Sequence, residues 1–433
     1  MRYIYALFFL WAIAHNLNPL LIPVLKEVCV LSDFQSALVD SAFYIGYFAF
    51  ALPAGAFIKS KGYKKAISLG LYFFGVGAAI VGIFGSQQNY PMALLGLFVM
   101  AAGLTFLETA ANPLVTLLGD PKKATTRLNL AQSFNGLGAT LAVFFGGIAL
   151  FGSSTEPRAQ QLLIPYFIVA SVTIGFSRLI RRQSINIEPT TASPEAQTPN
   201  FVNPSEPYLQ PGLSTWQQIK TLLQTAPYNL GILAQFCYVG AQVGVGSFFI
   251  RYATTYANMS SSVAATGLSL GMLLFMTGRF TGTFLMRWIA PAKLLLGTSI
   301  IAALISTTVA LNGGPTGFWL LIPLQFFMSI LFPTIFSLSL SSLKTAPPMA
   351  SSLLIMSIVG GAFFPLAMGA ISDQLGLQYA YLVPTLCFAV VAIFAKRIYT
   401  LEISASSNTL YPPKLEHPLN SLYWHCTSKT TPT

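Results

Sequence analysis

The chain has 433 residues, 54% hydrophobic and only 8% charged, about a third of the roughly 25% charge of soluble domains. That composition excludes an ordinary soluble globular protein and places the chain in lipid. The net charge of +11 does not point to nucleic acid, because the basic residues are scattered among loops between apolar runs and form no basic aromatic stripe.

About twelve apolar runs are long enough to cross a hydrocarbon layer ~30 Å thick. Six cover residues 3–25, 36–58, 66–86, 91–118, 128–151 and 162–180, and six more cover 227–251, 264–289, 292–311, 316–342, 350–371 and 377–396. In the first run, Arg2, an apolar stretch and Ala12-Ile13-Ala14 imitate a signal peptide with its cleavage site. The apolar character continues through Leu20, Leu21, Ile22 and Val24, so the run is read as the first span. Between the sixth and seventh spans, residues 183–225 turn polar and rich in Pro, Ser and Thr, too poor in apolar surface to fold alone, and are expected to be a flexible connector.

This organisation predicts an all-α polytopic membrane protein of twelve transmembrane helices in two six-helix halves, 1–182 and 226–398, with a disordered tail over 399–433. The placement of Lys and Arg predicts both ends on the cytoplasmic side of a plasma or bacterial inner membrane. One set of loops collects Lys59, Lys61, Lys64, Lys65, Lys122, Lys123, Arg127, Arg181 and Arg182, whereas the opposite set keeps Lys26 and Arg158. Gly55 to Lys61 after the second span and Gly282 to Arg287 near the end of the eighth form a weak internal repeat. Two parallel halves around a central site suit alternating access.

Chemistry concentrates in the fourth span. Glu108 is the only charged residue between Asn89 and Leu118. A charge at bilayer depth costs about 2.5–3.5 kcal/mol on insertion scales and is seldom kept without a use. Asn112 lies four residues on, on the same helix face, with Thr105 and Thr109 close by. Pro113 removes one backbone hydrogen bond, a change tolerated in membrane helices where the freed carbonyl is re-satisfied, often beside a cavity. The four cysteines lie far apart and suggest neither a metal site nor a disulfide framework. No phosphate-cradling loop supports ATP-driven pumping, and no nucleophile, base and orienting group recur together at membrane depth, so no enzyme is expected.

A glycine-containing helix end with Gly55, running into Gly62-Tyr63-Lys64-Lys65, resembles the inner-loop signature of the major facilitator superfamily. Within that superfamily, Phe8 to Ala12 with Asn16-Leu17-Asn18, Leu107 to Pro113, Arg127 to Asn135 and Ala234 to Gln242 resemble the fucose permease branch of proton-sugar symporters. Gly278 to Thr283 and Pro333 to Ser337 extend the match into the second half. The resemblance implies that Glu108 handles protons and sugar, and that Trp11, Asn16, Gln132, Asn135 and Gln242 surround a sugar cavity, with Asn112 on the Glu108 face. Neutral amides suit a polyol by pairing donors with acceptors, and an aromatic face covers its C–H side. Each amide alone has an alternative use in helix-to-helix hydrogen bonding, and Trp11 one in packing. Arg279 is read as an inner helix-end residue that pairs or meets lipid headgroups, and with Gly55, Gly62, Lys64 and Lys65 it forms the expected gating and inner-loop set.

The chain also departs from that branch. Pro19 stands where the branch has a first-span acid, and Gly246 and Phe332 stand where it has Trp and Tyr on the sugar side of the second half. Asp40, inside the second span, is a candidate replacement acid; its alternative is a position near the outer headgroups, solvated or paired with Lys26. The expected function is a proton-driven monosaccharide symporter needing no cofactor beyond the proton gradient. Its partners are a small sugar, protons and membrane lipids, without nucleic acid, and it is expected to be a monomer. The competing readings are an uncoupled facilitator, a carrier of another small polar solute, and a non-transporting sugar sensor.

Overall fold

The computed structural model describes residues 2–16, 33–151, 162–182, 214–343 and 348–410. Among them every regular element is helical. A first group comprises α1 (Arg2–Asn16), α2 (Asp33–Lys61), α3 (Tyr63–Ser86), α4 (Tyr90–Leu117), α5 (Ala124–Phe151) and α6 (Leu163–Arg182). A short helix α7 (Thr215–Gln224) precedes α8 (Ala226–Thr255), α9 (Ser261–Leu285) and α10 (Pro291–Asn312). Two broken spans follow, α11 (Gly314–Met328) with α12 (Leu331–Ser341) and α13 (Pro348–Met356) with α14 (Gly360–Leu375), and then α15 (Leu382–Leu410).

Nine stretches among the described residues are long and apolar enough to cross a membrane, and they fall on the third, fourth and sixth to twelfth predicted spans. Helices α1, α2 and α5 fall on the first, second and fifth. Two expectations need correction. The connector 183–225 does not stay irregular to its end, because α7 occupies Thr215–Gln224. Its start is a capping box, in which Gln217 N donates to Ser214 Oγ and Ser214 N donates to Gln217 Oε1, satisfying two otherwise orphaned donors. Ile219 and Leu222 are buried and give the helix the apolar face that composition averaged over the segment hides. The tail expected from residue 399 is helical through Leu410; residues 411–433 lie outside the described part.

In the first group α4 packs between α2, α3 and α5, while α1 lies along α5 and α3 also meets α6. Backbone proximity sets the α3–α4 crossing: a Cβ on Gly103 would stand 2.5 Å from Phe74 N and 2.6 Å from Gly70 O. Small residues at such a crossing supply the close van der Waals packing that joins helices in lipid. Gly103→Val is therefore expected to destabilise the fold by at least the ~1–3 kcal/mol of an overpacked core, read as a lower melting temperature in detergent. In the second group α8 packs against α9, α12, α14 and α15, and α10 against α11 and α15.

The two groups meet where α13 packs on α2 and α4, and where α9 and α12 pack on α5. This seam runs to the end of the bundle that carries Lys59 and Lys61 of α2 and Lys122 and Lys123 before α5, here termed the basic end. Arg127 closes that end of α4, donating from Nε to Val115 O and from Nη2 to Thr116 O, carbonyls that the helix terminus leaves unsatisfied.

Candidate functional site

The apolar length of α4 carries Glu108 into the bundle, where the chain offers few polar partners. One comes from α2: Tyr47 Oη donates to Glu108 Oε1 at 2.7 Å. Tyr47 is buried and Glu108 is half-buried, so the carboxylate has one donor among the described residues and an open side. A turn further along α4, Asn112 is fully buried and its Oδ1 accepts from Gln132 Nε2 of α5 at 3.2 Å. Asn112 Nδ2 and Thr109 Oγ1 have no hydrogen-bond partner among the described residues. The Glu108 face thus continues through Asn112 and Gln132 toward the second group of helices.

Arg279 completes the connection, at a place the sequence reading did not give it. It is buried, with 6% exposure, and forms no ion pair with an acid among the described residues. From α9, its Nη1 donates to Gln132 O at 2.7 Å, and stands 3.5 Å from Gln132 Oε1 and 3.4 Å from Asn135 Oδ1. Its Nε donates to Ser329 O at 3.1 Å. The physical reason is Pro333: lacking an N–H, it leaves the carbonyl four residues earlier, Ser329 O, without a helical donor. The break between α11 and α12 presents that carbonyl to Arg279, and Phe275 lies under the guanidinium at 4.8 Å. A positive charge is thereby held between the two helix groups by carbonyl oxygens and a ring face.

Nearer the basic end the described contacts across the seam join neutral groups. Thr125 and Ser337 hydroxyls are 2.9 Å apart, and Asn129 Nδ2 donates to Thr334 Oγ1 at 3.1 Å. A Cβ on Gly55 would overlap Ser352 Oγ, so glycine is what lets α2 approach α13. Gly62 caps the start of α3 at φ 81°, a left-handed value that favours glycine; Lys64 is half-buried and Lys65 exposed. Arg279→Met is expected to loosen closure of this end, since each hydrogen bond to a charged group contributes about 1.5–3 kcal/mol. Faster alkylation of a Thr125→Cys probe in the Arg279→Met background measures it.

The other expected residues divide. Asn135 is half-buried and its Nδ2 donates to Phe8 O at 3.3 Å, tying α5 to α1. Gln242 of α8 is half-buried. Gly246, one turn further, has no described atom within 4 Å of where a Cβ would stand, so that side of α8 opens onto space. Trp11 is 3% exposed and packed on Phe8, with ring centroids 4.5 Å apart; in this conformation it is a packing aromatic. Asn16 and Asp40 lie within helices whose side chains at those positions are outside the described residues, as is Pro19 altogether. Sequence reading missed Tyr47, an aromatic among aromatics, and the seam pairs Thr125–Ser337 and Asn129–Thr334, whose small polar residues give no signal without a partner in view.

Apolar spans that surround a half-open carboxyl, amides and a bridging guanidinium define an integral membrane protein of the transporter class. The model of the Major Facilitator Superfamily matches residues 1–354, and the chain belongs to that superfamily. It is 38% identical over 413 residues to the L-fucose-proton symporter of Escherichia coli (strain K12), covering 90% of this chain and 91% of the relative. It is 35% identical over 394 residues to a glucose/galactose transporter of Brucella abortus biovar 1 (strain 9-941), again covering 90% and 91%. Among solved structures it resembles the transporter FucP in the outward conformation, with TM-score 0.79 and 36% identity over 92% of this chain and 98% of that one.

Proposed function

We propose that the protein is a proton-coupled monosaccharide symporter working by alternating access, with Glu108 as the proton carrier. The observation that carries this reading is the half-buried Glu108 carboxyl, bonded to Tyr47, on the same helix face as an Asn112 that bonds Gln132. An acid in that position takes up or gives away a proton as its hydration changes, and the neighbouring amides offer a sugar both donors and acceptors. Relatives named as an L-fucose-proton symporter and a glucose/galactose transporter support the substrate class. The open space at Gly246 favours a substrate range wider than one deoxyhexose. Asn135 and Gln242 are the half-exposed amides suited to direct sugar contact, with Asn112 and Gln132 behind them; Asn16 and Trp11 complete the set in other conformations.

By the excess of Lys and Arg in its loops, the basic end faces the cytoplasm, which makes the described seam the closed inner gate of an outward-facing state. The protein acts as a monomer in a plasma or bacterial inner membrane, drawing energy from the proton gradient without a cofactor, as a transporter and not an enzyme. Uptake of labelled hexoses and deoxyhexoses into proteoliposomes, with an inward proton gradient and with a protonophore, tests the proposal. Accumulation that collapses with the protonophore is expected; equal uptake under both conditions would favour the uncoupled facilitator to which Pro19 points. Tyr47→Phe removes the donor to Glu108 and is expected to lower coupled uptake about tenfold, matching ~1.4 kcal/mol for one such bond, with counterflow affected less.

A further inference from the structure

We propose that α7 is an interfacial anchor, binding the headgroup layer of anionic lipids at the basic end and thereby holding the inner gate helix α13. The helix has three faces. Gln218, Ile219 and Leu222 are buried against the protein, where α7 packs on both α8 and α13. Gln217, Thr221 and Gln224 form a neutral polar face. Between them, Trp216, Lys220 and Leu223 fall at helical positions i, i+4 and i+7 and share one stripe. Trp216 is 78% exposed and Leu223 43% exposed, and Lys220 is exposed too.

A large aromatic and a leucine facing outward beside a lysine would be a poor solvent face, but they match the membrane interface, where an indole ring sits at headgroup level and a lysine meets anionic lipid. The location agrees. A single residue, Thr225, separates α7 from α8, a membrane-crossing helix whose outward Leu233 is 47% exposed. The stripe therefore continues a lipid-facing surface at its basic end. A second tryptophan, Trp288, follows α9 at that same end with 68% exposure, its ring edge-on to Phe284 at 4.5 Å, giving the aromatic belt another member. Because α13 carries Ser352, the residue that Gly55 of α2 approaches across the seam, α7 links the lipid layer to the gate through one helix.

The test compares tryptophan emission of the full-length protein and of Trp216→Phe, reconstituted in vesicles of phosphatidylcholine alone or with added phosphatidylglycerol, with lipids brominated near the headgroup as quenchers. The difference between the two proteins isolates Trp216, and its exposure makes the substitution harmless to folding. The expected result is that brominated lipid removes most of the Trp216 emission while aqueous iodide removes little, and that adding phosphatidylglycerol deepens the quenching in a manner that Lys220→Gln abolishes. Trp216 emission quenched by iodide and untouched by brominated lipid would overturn the anchor. Equal quenching with and without phosphatidylglycerol would overturn the anionic preference.

Discussion

Glu108→Gln is expected to abolish uphill accumulation of sugar while leaving counterflow across the membrane measurable. Each pH unit of gradient corresponds to about 1.4 kcal/mol, a tenfold accumulation per coupled proton, and the whole of that driving force must pass through a group that changes protonation during the cycle. Glutamine keeps the size of the side chain and can still accept the Tyr47 hydroxyl hydrogen bond through its carbonyl oxygen, so the helix contact between α2 and α4 survives. What it removes is the exchangeable proton. It also removes the charge that is costly in an occluded site, so the sugar-loaded carrier can still reorient, and exchange of labelled for unlabelled sugar persists. A proton gradient then leaves the internal sugar no higher than the external level. If Glu108→Gln accumulates sugar like the wild type, the coupling acid lies elsewhere, and Asp40→Asn becomes the decisive variant.

The fold was legible because its signals are long: runs of some twenty apolar residues separated by basic loops declare a membrane protein whatever packs against what. Glu108 was legible for the same reason, as a single acid within the apolar run from Asn89 to Leu118. Arg279 was visible but misplaced. Its position near the end of a span suggested an ion pair or lipid headgroups, and only the Ser329 carbonyl that Pro333 leaves free at the α11–α12 break, taken up by Arg279 Nε, explains why a guanidinium stays buried. Tyr47 was not legible, because a tyrosine donating to a carboxylate and one packed against lipid occupy identical sequence positions until the facing helix is known. The seam pairs fail in a related way: Asn129 and Thr334 are 205 residues apart, and neither is unusual alone. The capping box of α7 was local and readable in Ser214 to Gln217, but the polar composition around it concealed it.

Joining α2 to α13 across the seam is expected to stop transport completely and reversibly. In Gly55→Cys/Ser352→Cys, the new Cβ on α2 stands 3.1 Å from the Cβ of residue 352, slightly inside the ~3.5–4.5 Å span of a disulfide, so a small outward shift brings the sulfurs to bonding distance. The other contacts near the basic end, Thr125 with Ser337 and Asn129 with Thr334, contribute about 0.5–1.5 kcal/mol each, weak enough to break in every turnover. A disulfide is not. Oxidation should reduce labelled-sugar uptake to background, a reductant should restore it, and Gly55→Cys/Ser352→Ala should be indifferent to the same oxidant, which separates the cross-link from crowding at the seam and from the four native cysteines, of which Cys237 and Cys387 are buried. Sugar binding from the side away from the basic end should persist in the locked protein, because the seam holds only one end shut. A cross-linked protein that transports at the full rate would mean that α2 and α13 never separate, and alternating access would have to operate through some other surface.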